Sequence, residues 1–158
     1  MKKHFGGIIE KVRGIKKHNP ILFASHSNAK GICNVNRNLT DEQIRVIAEE
    51  FNGTIGMVEY TPFCTDRKWA NKSTYEKYYF KHINYVKNLL GGVDHITVAT
   101  DDMSLQFING DKPPVYKHKE VAAKIKNLLI KNGYTDEETE KILYKNIRLY
   151  DTIIPVDV

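Results

Sequence analysis

No stretch of the 158-residue sequence approaches the roughly 18 consecutive apolar residues that a bilayer-spanning helix needs, so a protein embedded in or bound to a membrane is not expected. Cysteine is nearly absent. Cys33 and Cys64 stand apart with no Cys-x-x-Cys pair, which argues against a disulfide framework and a thiolate zinc site and leaves two buried thiols as the reading. No block of one charge occurs either. The formal net charge of +5 comes from lysines scattered along the chain, as in KNLL, KHKE and KIKNLLIKN, which is the pattern of solvated helix faces. Without a nucleic-acid-binding motif or a basic-aromatic platform beside that charge, no nucleic-acid partner is expected. The start, MKKHFGGIIEKVRGIKKHNP, is basic but carries no long apolar segment and no small-residue cleavage pattern. It does not read as a secretory signal, and a cytoplasmic location is the expectation.

What is present is an ordinary soluble composition, 41% hydrophobic and 27% charged, on a chain long enough for one core. Three apolar runs rich in β-branched residues read as strands: Ile21–Ser25, Thr54–Tyr60 and His95–Thr100. Ser25-His26-Ser27-Asn28 cannot continue the first without burying polar groups, so that strand ends at or just before His26. Helices separate the strands. Thr40-Asp41-Glu42-Gln43 is a capping box that opens a helix running to Asn52-Gly53. Tyr75, Tyr79, Ile83, Val86 and Leu90 recur at three- and four-residue spacing and predict a second helix from about Ser73 to Leu90, ended by Gly91-Gly92. Beyond a loop after Asp101, helices are expected over roughly Glu120–Lys131 and Asp136–Tyr150, with a second capping box at Thr135 and Glu138 and a break at Gly133.

Strand and helix in alternation, with strands apolar on both faces, is the pattern of a parallel sheet, and the fold class is α/β. Chemistry in such sheets gathers at the carboxyl ends of strands, which here carry His26, Glu59 and Asp101.

The segments ASHSNAKGIC, NRNLTDEQI, TIGMVEYTPF, HINYVKNLLGGVDHITVATD and GYTDEETEKILYKN, in this order and spacing, resemble the carboxyl-terminal half of the membrane dipeptidase (renal dipeptidase) family. The resemblance covers nearly the whole chain. It implies a TIM-type (β/α)8 barrel, of which residues 1–158 would be a single partial domain, and hydrolysis of dipeptides at a centre of two zinc ions. His26, the histidine of SHSNA, would be a metal ligand. His4 would be a second ligand, although it lies one residue further from His26 than the family's spacing. Arg37, in NVNRN, matches the arginine that holds the dipeptide carboxylate, a task suited to a planar guanidinium. Tyr60 and Phe63 fall in a region that lines the pocket. Asp101 matches the aspartate that transfers protons near the metals, although ATDDMS keeps only the first aspartate of the family's Gly-Ser-Asp-Phe-Asp-Gly segment.

The family's early His-x-Asp pair, its metal-bridging glutamate and a substrate-contacting histidine have no counterpart among these segments, so the ligand set for zinc is incomplete. Two expectations follow from the resemblance. The chain is a half-barrel zinc dipeptidase needing a complementary amino-terminal half or a homo-oligomer, or it is a catalytically inactive binding or structural module.

Overall fold

The computed structural model describes residues 2–65, 72–99 and 118–147. The chain starts in helix α1, Lys2–Gly14, followed by a 3₁₀ turn at Lys16–His18. The run after Pro20 leads into the first sheet contact, and a loop then reaches α2, Asp41–Arg45, which widens into a π-type turn over Val46–Glu50. Strand β1, Ile55–Val58, is followed by the short α3, Thr61–Cys64, and the long α4, Lys72–Leu90. Strand β2, Ile96–Ala99, precedes α5, His118–Lys131, and α6, Asp136–Glu140, which runs on into a π-type turn at Lys141–Lys145. Among the described residues no helix is long and apolar enough to cross a membrane.

Strands β1 and β2 pair in parallel, with Ile55 opposite Ile96 and Val58 opposite Ala99. All four β1 residues are buried, as expected of a parallel strand covered on both faces. The 21–25 run lies on the other side of β1 but is less regular than expected. It makes one parallel bridge, Ala24 to Ile55, in which Ala24 N–H donates to the Thr54 carbonyl at 3.0 Å and Gly56 N–H donates to the Ala24 carbonyl at 2.7 Å. Leu22 and Ala24 pack on the core while Phe23 is 57% exposed, so the run is buried on one side and not throughout.

This close approach depends on glycine. A Cβ at Gly53 would run into the Leu22 carbonyl, and one at Gly56 into the Ser25 carbonyl. The run therefore lies against β1 at a distance no side chain permits.

Both capping boxes form. Thr40 accepts from Gln43 N–H while the Gln43 side chain accepts from Thr40 N–H, and Thr135 and Glu138 repeat the exchange at α6. Gly91 and Gly133, at φ of 75° and 84°, follow α4 and α5 where the sequence places the stops. The core joins Ile44 and Ile47 before β1, Ile55 and Met57 on β1, and Ile83 and Val86 on α4, with Ile125, Leu129 and Ile142 from the last helices. Asn146 ties the end of the last helical turn to β2 by donating to the Val93 and Ile96 carbonyls, both at 2.7 Å. The helices thus brace the two strands, and β1 runs out at its carboxyl end into residues 59–60 ahead of α3.

Candidate functional site

The loop after Ala24 is built from polar side chains that stand in for missing strand. Asn28, 1% exposed, donates to the Val58 carbonyl at 3.0 Å and accepts from Val58 N–H at 3.1 Å, the exchange a neighbouring backbone would make. Its amide is the physical reason SHSNA sits over the end of β1. From there the loop folds back on itself, with Leu39 N–H donating to the Asn28 carbonyl at 2.8 Å and Lys30 N–H donating to the Leu39 carbonyl at 2.7 Å. Asn38, also buried, donates to the carbonyls of Cys33 and Phe63 at 2.9 and 2.8 Å. That second bond joins the loop to the α3 turn.

Arg37 sits immediately before this anchor and is exposed. Its guanidinium carbon lies 5.8 Å from the centroid of the Phe63 ring, in cation–π range. Phe63 in turn meets Tyr60 edge-on, with centroids 4.8 Å apart and planes at 75°. The structure therefore gathers Arg37 and Tyr60 around Phe63, and His26 is half-buried on the same pinned loop. Glu59, directly beyond β1, is ion-paired with Lys124 of α5 at 2.8 Å. His4 falls in the first turn of α1, with its side chain outside the described set, and Asp101 lies outside the described residues.

Behind the loop stands His82 of α4, fully buried. Its Nδ1 accepts from Ala29 N–H at 3.1 Å, so the ring proton is on Nε2, which donates to the Cys64 carbonyl at 3.0 Å. Burial pushes its pKa down to about 4, which makes the ring neutral across the physiological range. Asn28, Asn38 and His82 escape sequence reasoning. One signal was available for the histidine: position 82 falls with Tyr79, Ile83 and Val86 on the buried face of the helical period.

The chemistry of the donors can be set against a metal centre. Among the described residues no group of three or more His, Cys, Asp or Glu side chains is placed to hold a metal ion. Both cysteines are buried free thiols. Burial pushes the Cys64 thiol up to about 12 and its proton goes to the Val58 carbonyl, so it is no thiolate ligand. Glu59 is engaged by Lys124. His26 remains as a half-buried donor, and a catalytic zinc takes about three protein ligands. The described donors do not fit a two-zinc centre.

A family model described as membrane dipeptidase, peptidase family M19, matches residues 17–151. An uncharacterized protein in the pqqA 5′ region of Klebsiella pneumoniae is 29% identical over 127 residues, covering 79% of this chain and 44% of that protein. Among solved structures, the dipeptidase AC, a family M19 metallopeptidase, superposes with a TM-score of 0.64 at 24% identity, covering 82% of this chain and 36% of its own. A Rhodobacter sphaeroides metallopeptidase, liganded with a phosphinate mimic of the dipeptide L-Ala-D-Ala, gives 0.64 at 24% identity over 81% of this chain and 34% of its own. The probable dipeptidase PvdM from Pseudomonas aeruginosa gives 0.62 at 17% identity over 82% of this chain and 44% of its own. The fold is thus the α/β fold of these proteins, and the chain spans less than half the length of each.

Proposed function

Because the chain belongs to the membrane dipeptidase family, peptidase family M19, we propose that it is the carboxyl-terminal half of a TIM-type barrel and supplies the carboxylate-binding side of a zinc-dependent dipeptidase site. One observation carries this reading: an exposed arginine held over an aromatic ring, at a loop whose backbone is fixed by two buried asparagines. A guanidinium forms two parallel hydrogen bonds to a carboxylate, and holding it against Phe63 reduces the side-chain freedom lost on binding. Tyr60 adds an aromatic wall beside it. Asp101 would move the proton to the leaving amine, and His26 would face the metal, with His4 a second donor. The remaining donors would come from a complementary amino-terminal half of the barrel. The described donors alone cannot hold a zinc ion.

The shortage of donors also favours a second reading, a catalytically inactive binding or structural module. Hydrolysis of a dipeptide such as L-Ala-D-Ala separates the two. The 158-residue chain with zinc is expected to show negligible turnover, while mixing or co-expression with the amino-terminal half of a family member is expected to raise both zinc content and turnover. Complemented protein that binds zinc but stays inert supports the inactive module. Zinc-dependent hydrolysis by the isolated chain, lost in His26→Ala, overturns the donor argument.

A further inference from the structure

The buried imidazole of His82 takes no part in the chemistry proposed above, yet its presence in the core needs a reason. A leucine or methionine would fill the same position on α4 without the cost of taking a polar ring out of water. The ring is fully buried among apolar neighbours of the face that carries Tyr79, Ile83 and Val86, and each of its nitrogens is committed to the backbone of a different loop. One bond holds Ala29, three residues after His26 and on the loop that bears Arg37. The other holds Cys64, the residue directly after the Phe63 ring on which the Arg37 guanidinium rests. The imidazole thus spans the two segments whose relative placement creates the arginine–aromatic contact, and the long helix α4 gives it a rigid backing.

We infer that His82 is a positioning residue: from α4 it fixes the His26–Arg37 loop relative to the Tyr60–Phe63 turn, and so sets the geometry of the proposed carboxylate site without touching substrate. The functional consequence rests on the dipeptide-binding reading; the structural one does not. Asn38 ties the loop to the turn through the Phe63 carbonyl and Asn28 ties it to Val58 at the end of β1, whereas His82 holds loop and turn from α4, so its loss loosens their placement while the strands stay paired.

Two measurements on the full chain test this, with His82→Leu removing both bonds and His82→Asn retaining an acceptor for Ala29 N–H. Hydrogen exchange comes first. In folded His82→Leu the Ala29 amide should exchange at least about tenfold faster relative to the amides of β1 and β2, and His82→Asn should recover most of that protection. Binding of a free dipeptide comes second. Its affinity should fall about tenfold in His82→Leu and return to within about threefold in His82→Asn, at a temperature where both variants are folded by circular dichroism. Should His82→Leu fail to fold, His82→Gln, which keeps a donor for Cys64, replaces it and should show the faster Ala29 exchange. A uniform rise in exchange over the whole chain, or unchanged dipeptide affinity in a variant with faster Ala29 exchange, overturns the inference. Wild-type protein that binds no dipeptide would instead sink the dipeptide-binding reading, and the positioning role would then stand or fall on the exchange pattern alone.

Discussion

Gly56→Ala is expected to destabilise the protein by about 3 kcal/mol and to detach the SHSNA loop from β1. An alanine Cβ at this position would overlap the Ser25 carbonyl, with the Ala99 side chain 3.2 Å away. The obstacle is backbone, so no rotamer change relieves it. Retreat of the run is blocked as well, since Gly56 N–H donates to the Ala24 carbonyl at 2.7 Å and the Gly56 carbonyl accepts from Ser27 N–H at 2.9 Å. Moving Ser25 away breaks those bonds, and they are the ones that hold His26 at the strand end. Chemical denaturation of Gly56→Ala beside Gly7→Ala checks this, because an alanine at Gly7 meets nothing within 4 Å and lies inside α1. The first variant should lose stability and the second should keep or gain it. Equal stability of Gly56→Ala and wild type would show that the 21–25 run is not seated on β1 as described.

Acid should destabilise the protein through His82 in a defined window. The unfolded chain takes up a proton at this residue near its ordinary value of 6.5, whereas the buried ring resists protonation until about pH 4. Between those values the unfolded state binds more protons, so stability falls as pH falls. The loss begins below about pH 6.5, is complete near pH 4, and amounts to about 3 kcal/mol. Carboxylates held low by cationic partners, such as Glu138 beside Lys87, also lose their contribution in acid, so the histidine must be isolated. Denaturation midpoints from pH 7 to 4 for wild type and His82→Asn do this. The variant should lack most of the fall between pH 6.5 and 5, above the carboxylate range, and parallel curves would contradict the burial of a neutral imidazole.

Local signals account for what was readable in the sequence. The capping boxes at Thr40 and Thr135 each need only residues three apart, and both form. Strand β1 lies inside its expected run, one residue shorter at the start and two at the end, and β2 begins one residue into its run, whose last residue, Thr100, lies outside the described residues. The 21–25 run was harder to read, because its pairing depends on Gly53 and Gly56 some thirty residues later. The same distance hides Asn28 and His82. An asparagine in a polar stretch and a histidine in a helix reveal their roles only beside Val58, Ala29 and Cys64. The family motif points to Arg37, Tyr60 and Phe63 alike, and the packing of the first two against the Phe63 ring is what the structure adds.

The proposed role of Arg37, reading a dipeptide carboxylate, is tested most directly by calorimetric titration. A dipeptide with a free carboxyl terminus and its carboxyl-terminal amide are titrated into wild type and Arg37→Ala. The expected result is measurable binding of the free dipeptide to wild type, weakened at least about tenfold either by amidation or by removal of the guanidinium, with no further loss when both are combined. Equal binding of acid and amide, or unchanged affinity in Arg37→Ala, would contradict the account.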